Sequence, residues 1–158
     1  MTSRIIRNTP EAQDPNIKTS NYLNSLLALQ DVKSRGADDA ILCDGQGRVA
    51  EGTTFSVFAV REDGTIITPS LEVGILDSIT RRRVIKRVSR TREVKEGFYP
   101  LADMQGCAEV FIVSSVREAV PVSQWDDKTY QVPGPVTLLV QEELKAEVAE
   151  YIATHEKF

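Results

Sequence analysis

The stretch DDAILCDGQGRVAEGTTFSVFAVREDGTIITP, residues 38–69, constrains the fold of this chain most strongly. Short apolar runs with β-branched and aromatic residues are separated by the turn sequences DGQG and EDG. Tight turns at this spacing join neighbouring strands of one sheet. The stretch therefore predicts an antiparallel meander, with the GQG segment as a hairpin turn.

Helical spacing appears on both sides of this meander. Residues 1–17 contain two prolines and predict an extended arm. Three helices are predicted: one capped by Thr19 or Ser20 that ends at Gly36, one capped by Asp77 or Ser78, and one that begins at Pro135. Their apolar residues at helical spacing are, in order, Tyr22, Leu23, Leu26, Leu27, Leu29 and Val32, which are expected to face a core; Ile79, Val84, Ile85 and Val88; and Leu139, Leu144, Val148 and Ile152.

The segments between the second and third helices complete the predicted fold class. EVKEGFYP has the pattern of a strand, LADMQGC that of a short helix, and AEVFIVSSV that of a buried strand. We therefore predict a mixed fold, α/β of the α+β type, with a mainly antiparallel sheet flanked by helices. With 158 residues, the chain is expected to form one domain.

Composition excludes several classes of partner. With 19 basic and 23 acidic residues, the net charge of -4 does not favour nucleic acid or an anionic membrane. The basic run at residues 81–92 lacks interleaved aromatic residues, so we interpret it as a solvated helix face. No run of about 20 apolar residues is present, and the N-terminus is too polar for a signal peptide. Cys43 and Cys107 are expected to be reduced thiols in a cytoplasmic protein.

Common catalytic motifs are missing, but one anion site is predicted. His155 is the only histidine, which excludes a histidine-based triad and a multi-histidine metal site. No glycine-rich phosphate loop is present. The backbone N–H groups around residues 78–80 would be unpaired at a helix start, where the helix dipole is positive, so they predict a seat for phosphate.

Four ordered segments carry a family resemblance: NIKTSNYL at 16–23, GRVAEGTTFSVFAV at 47–60, GILDSITR at 74–81 and AEVFIVSSVREAVPV at 108–122. Together they resemble the C-terminal domain of the class IV (fold type IV) pyridoxal-phosphate (PLP) aminotransferases. That family includes branched-chain aminotransferase, D-amino-acid aminotransferase and aminodeoxychorismate lyase. The resemblance implies a mainly antiparallel sheet or pseudo-barrel with flanking helices, and PLP as cofactor.

The resemblance assigns chemical roles to two residues. Lys18 falls on the lysine that forms a Schiff base with the cofactor aldehyde and then moves the proton between the substrate alpha carbon and the cofactor. Glu51 falls on the glutamate that pairs with the pyridine nitrogen. A carboxylate there keeps the nitrogen protonated, so that the ring can accept electrons.

Five further positions match cofactor-binding residues of the family. Leu76 matches an apolar residue packed on the ring, and Ile79 and Thr80 match the phosphate-binding pair. Ser115 matches a hydroxyl residue that also reaches the phosphate. Tyr22 could contact the phenolic oxygen of the cofactor, or it could be the first core residue of the helix.

The resemblance also implies a reaction and leaves alternatives open. The expected reaction is amino-group transfer between an amino acid and a 2-oxo acid; the alternatives are a lyase of the aminodeoxychorismate type and a non-catalytic remnant. Residues 1–17 match the interdomain segment and 18–158 the cofactor domain, while the family's N-terminal domain has no counterpart. We therefore expect a homodimer or a separate N-terminal half as partner. SSVRE replaces the substrate-carboxylate loop of the branched-chain enzymes.

Overall fold

The fold is given by a computed structural model that describes residues 1–17 and 19–155, so Lys18 lies outside the described residues. The helices are α1 (Leu23–Lys33), α2 (Ile79–Val88), α3 (Leu101–Gln105) and α4 (Pro135–His155). The strands are β1 (Ile41–Cys43), β2 (Val49–Gly52), β3 (Ser56–Val60), β4 (Ile66–Pro69), β5 (Val94–Gly97), β6 (Glu109–Ser114), β7 (Glu118–Pro121), β8 (Gln124–Trp125) and β9 (Lys128–Thr129).

A five-stranded sheet in the order β5-β4-β3-β6-β7 forms the centre. Its pairs are antiparallel except β4 with β5, which is parallel. The pairs β1-β2 and β8-β9 form two small separate sheets. The predicted class, a mostly antiparallel sheet with flanking helices, is confirmed.

Both faces of the central sheet are covered, because side chains alternate along each strand. One face packs Phe58, Phe111 and Val113 against α2 and α4. The rings of Phe58 and Phe111 stack with centroids 5.2 Å apart. The opposite face packs its side chains against β1, β2, α3 and Trp125. No helix among residues 1–17 and 19–155 is long and apolar enough to cross a membrane.

The predicted meander is wrong in one respect, since β2 and β3 belong to different sheets. The chain reverses through a turn in which the Gly52 N–H donates to the Phe55 carbonyl at 2.9 Å. A Cβ at Gly52 would clash with the Phe55 ring, so the turn needs glycine there. Residues 51–56, which span this turn, line a cleft.

The prediction that the apolar stripe of α1 faces a core is wrong for most of its length. Leu23 is 63% exposed and Leu26 is 59% exposed. The helix packs instead through Ala28 and Val32, which lie against Leu42 and its neighbours. Thr19 and Ser20 do not cap it, because the residue before its first turn is Tyr22 and no side chain bonds there.

For α2, the predicted cap is confirmed, but the expectation of a solvated basic face is wrong. The Ser78 hydroxyl accepts from the Arg81 N–H. Ile79 is 62% exposed and does not join Val84 and Val88 in the core. The basic face is not fully solvated, since Arg81 is buried and donates to the Glu96 carboxylate and to a backbone carbonyl. On α4, likewise, Leu144 is buried whereas Val148 and Ile152 are exposed.

The start of the chain lies along β1. The Ser3 N–H donates to the Ile41 carbonyl at 2.9 Å, and the Arg7 N–H donates to the Cys43 carbonyl at 2.8 Å. Thr2 is anchored by the Trp125 indole, which donates to its hydroxyl at 2.8 Å. These contacts place the backbone of Arg7 at the end of β1.

The start of α4 depends on Glu109, a buried carboxylate of β6. It accepts the Val136 N–H at 3.1 Å and both the N–H and the hydroxyl of Thr137. We expect Glu109→Gln to lower the free energy of unfolding by about 1–3 kcal/mol, because an amide removes the charge and turns a donor toward N–H groups. Urea unfolding measures this change. Glu142→Gln, on the exposed side of α4, is the control and should unfold like wild type.

Cys43 and Cys107 are free thiols in the structure. Burial, with Asp44 and Asp126 nearby, raises the pKa of the Cys43 thiol to about 11. We expect its alkylation by iodoacetamide to rise roughly tenfold per pH unit from pH 8 to pH 10, because only the thiolate reacts. Mass spectrometry of the modified peptide measures the rate. A rate that levels off between pH 9 and pH 10, as expected for the urea-unfolded control, would contradict the buried environment.

Candidate functional site

A cleft of about 790 Å³ lies where the arm, the start of α1, the turn after β2, the start of α2 and the loop after β6 meet. Five of the residues predicted as site residues line it: Tyr22, Glu51, Leu76, Ile79 and Ser115. The neighbours of Lys18 in sequence, Ile17 and Thr19, line it as well. These five parts of the chain therefore contribute to one cavity.

Glu51 provides a fixed, buried carboxylate in this cleft. Arg7 approaches one of its oxygens, Oε1, with both Nε and Nη2 at 2.8 Å. The other oxygen, Oε2, accepts the backbone N–H of Leu76 at 3.2 Å. A buried carboxylate needs such partners, since its desolvation is otherwise costly. The ion pair and the N–H contact thus fix the carboxylate in one orientation.

Two hydroxyl groups meet at the start of α2. Thr80 Oγ1 and Ser115 Oγ are 3.2 Å apart, although 35 residues separate them in sequence. The first repeating bond of the helix runs from the Arg82 N–H to the Ser78 carbonyl, and the Ser78 hydroxyl takes the Arg81 N–H. The N–H groups of Ile79 and Thr80 therefore precede the helical hydrogen bonds. Together, hydroxyls and N–H groups form a donor set suited to an anion.

Arg117, another residue that lines the cleft, forms a second ion pair. Arg117 Nη1 lies 2.7 Å from Asp39 Oδ2, and the guanidinium carbon lies 5.8 Å from the centroid of the Phe55 ring. The Thr53 hydroxyl donates to the other oxygen of Asp39 at 2.6 Å. Phe55 is held in place by the turn at Gly52.

The structure brings the predicted residues together, apart from Lys18, which lies outside the described residues. Thr80 is buried, and its hydroxyl contacts the hydroxyl of Ser115, which lines the cleft. Tyr22 is 41% exposed and lines the cleft, so the alternative that it is a core residue is wrong. The cofactor roles of these residues remain predictions.

Sequence reasoning missed Arg7, Asp39 and Arg117. The partners in the two ion pairs are 44 and 78 residues apart, and no local pattern indicates such contacts. Within the part of the chain that the structure describes, no group of three or more His, Cys, Asp or Glu side chains could hold a metal ion. The N–H and hydroxyl donors at the start of α2 suit an anion, and the Glu51 carboxylate suits a protonated ring nitrogen.

Comparison with known proteins identifies the family. The family model for class IV amino-transferases matches residues 1–125. The chain is 35% identical over 144 residues to a putative branched-chain-amino-acid aminotransferase of Methanocaldococcus jannaschii. The aligned region covers 89% of this chain and 50% of that protein. It is 34% identical over 155 residues to an aminodeoxychorismate lyase of Bacillus subtilis, covering 97% of this chain and 52% of that protein.

The fold agrees with these relatives. The structure of the Thermobaculum terrenum branched-chain amino acid aminotransferase in its PLP form superposes with a TM-score of 0.84 and 34% identity, over 89% of this chain and 47% of that one. The chain belongs to the class IV aminotransferase family. It spans about half the length of the curated relatives it matches.

The ion pair of Arg7 with Glu51 makes a testable contribution to stability. Both side chains are mostly buried. We expect Arg7→Met to lower the free energy of unfolding by about 1–3 kcal/mol, because the buried carboxylate loses a charged donor. Urea unfolding provides the measurement. Arg4→Met, in the same arm but with an exposed side chain, is the matched control. Equal stability of the two variants would contradict a structural role for the pair.

Proposed function

We propose that the cleft binds pyridoxal 5'-phosphate and that the chain provides the cofactor side of an aminotransferase, which transfers an amino group between an amino acid and a 2-oxo acid. One observation carries this proposal. A buried, oriented carboxylate at Glu51 and a cluster of anion-binding donors at Thr80 and Ser115 line or border one cavity. These are the two kinds of group that a phosphorylated pyridine requires.

The residues present fit this cofactor. Ile79 and Thr80 would hold the phosphate through their backbone N–H groups, with the Thr80 and Ser115 hydroxyls as further donors. Leu76 would pack on the ring, and Tyr22 would contact the ring oxygen. Once bound, PLP would supply an electron-poor ring that stabilises negative charge on the substrate alpha carbon.

Glu51 would hold the proton on the ring nitrogen. Arg7 binds Oε1, and the proposed acceptor of the ring N–H is the other oxygen, Oε2. Arg7 is thus a positioning residue, since it orients the carboxylate without reaching the ring. Lys18 would bind the cofactor aldehyde and carry the proton to and from the substrate alpha carbon.

Lyase chemistry is a second candidate, because the Bacillus subtilis aminodeoxychorismate lyase aligns with 97% of this chain. Both reactions would use Lys18 and Glu51 in the same roles. A partner for this chain also belongs to the proposal, either a second copy or an N-terminal half. The exposed leucines of α1 support it, because a contiguous apolar face is typical of a contact surface. A cytoplasmic location is proposed with it, and the free thiols support that location.

Borohydride trapping tests the cofactor site. The protein is incubated with PLP and reduced, and the modified lysines are mapped by mass spectrometry. We expect Lys18 to be labelled well before Lys33 or Lys145. Glu51→Gln should keep the labelling but shift the absorbance of the bound cofactor, because the ring nitrogen loses its anionic partner.

The phosphate contacts need a separate variant. Combined replacement of Thr80→Val and Ser115→Ala should weaken PLP binding about tenfold or more, because two hydroxyl donors to a dianion are lost. Thr91→Val, in the turn that follows the C-terminal end of α2, is the control. Labelling spread evenly over all lysines of the wild-type chain would overturn the proposed function.

A further inference from the structure

Arg117 lies at the junction of two cavities. It lines the proposed cofactor cleft, and it also lines a neighbouring cavity of about 430 Å³. Among the described residues, Phe55 also borders both. The second cavity is walled by the loop before β1 and by β7 and β8, and includes Val120 and Trp125. A group held at Arg117 would therefore sit between the cofactor and a separate, partly apolar space.

The guanidinium of Arg117 is held in position by its surroundings. The Asp39 carboxylate that binds Nη1 is itself fixed, since its Oδ1 accepts from the Thr53 hydroxyl and the Ala40 N–H. The Phe55 ring lies below the guanidinium. The backbone N–H of Arg117 donates to the Ser114 hydroxyl at 3.1 Å, which fixes the loop after β6.

This arrangement leaves hydrogen-bond donors available. Asp39 binds Nη1, and the N–H groups on Nε and Nη2 have no acceptor within residues 1–17 and 19–155. The side chain is 44% exposed, so a ligand can reach these groups. A guanidinium with two free neighbouring donors matches the geometry of a carboxylate, which binds in a bidentate manner.

The other arginines of the cleft have different positions. Arg7 is bound to Glu51, the proposed partner of the ring nitrogen. Arg82 lies in the first turn of α2 beside the proposed phosphate seat and is paired with Asp77 at 3.0 Å. Arg117 borders the second cavity instead. Its charge is thus placed for an anionic group that belongs to the substrate.

We propose that Arg117 selects dicarboxylic substrates, by binding the carboxylate at the far end of an acidic amino acid or of its 2-oxo acid. This inference rests on the proposed function, because it takes the reacting end of the substrate to lie at the cofactor. Arg117 is then a specificity-determining residue, and Asp39 and Phe55 are its positioning residues. An apolar substrate of the same length would lack a partner for the guanidinium.

Binding of two matched 2-oxo acids tests the proposal. 2-Oxoglutarate and 2-oxopentanoate have the same five-carbon chain, and only the first has a second carboxylate. Isothermal titration of the PLP-loaded full chain gives the two dissociation constants. We expect wild type to bind 2-oxoglutarate about tenfold or more tightly than 2-oxopentanoate, because the second carboxylate forms a charge-assisted bidentate contact with the guanidinium. Arg117→Gln should remove this preference while leaving 2-oxopentanoate binding within about twofold.

Two variants serve as controls. Arg48→Gln removes an arginine that is likewise paired with an aspartate, Asp44, at 2.6 Å and lies over a ring, Phe98, at 4.5 Å, but outside both cavities. It should keep the full preference. Arg117→Lys retains the positive charge but loses the paired N–H donors of the guanidinium, so an intermediate preference is expected. This variant keeps the test valid if Arg117→Gln does not fold.

The outcomes separate the two proposals. Trapping at Lys18 in Arg117→Gln, together with a lost preference, supports both. Two outcomes overturn the role of Arg117 alone, provided that Lys18 is trapped. In one, wild type binds the two acids equally; in the other, Arg117→Gln and Arg117→Lys keep the preference unchanged. If Arg117→Gln weakens the binding of both acids equally, the residue binds the carboxylate that both acids share. That result would also overturn the proposed role of Arg117. Failure of trapping in wild type overturns the proposed function and the inference with it.

Discussion

The candidate site depends on the hydrogen bonding of the N-terminal arm to β1. This pairing begins at Thr2, held by Trp125, and ends where the Arg7 N–H meets the Cys43 carbonyl. It brings the Arg7 guanidinium to Glu51 at the end of β2. Without the arm, the buried carboxylate would lose its cationic partner, and one wall of the cleft would be missing. The arm is therefore part of the site as well as part of the fold.

A second constraint shapes one wall of the cleft. The turn between Gly52 and Phe55 joins β2 of the small sheet to β3 of the central sheet, and its residues line the cleft. Phe55 folds back against Gly52 and supports the guanidinium of Arg117 on its other side. One compact turn thus connects the carboxylate proposed for the cofactor with the arginine proposed for the substrate.

The errors of prediction in α1 and α2 share a physical cause. Spacing shows which side chains share a helix face, but it does not show which face meets the protein core. In α1 the leucines formed the stronger pattern, yet the helix packs through the smaller Ala28 and Val32. In α2, Arg81 is buried because Glu96 and a carbonyl of the neighbouring strands are available to it. Such partners depend on tertiary contacts that a single sequence does not contain.

What the sequence determined by itself was local. The turns, the Ser78 cap, the strand pattern and the ordered motifs with Lys18, Glu51 and Thr80 all follow from residues that are near neighbours in the chain. The tertiary structure alone decided that Arg7 meets Glu51, that Thr80 meets Ser115 and that Arg117 meets Asp39. These contacts join segments 44, 35 and 78 residues apart, and the strand order that brings them together arises only when the whole sheet packs.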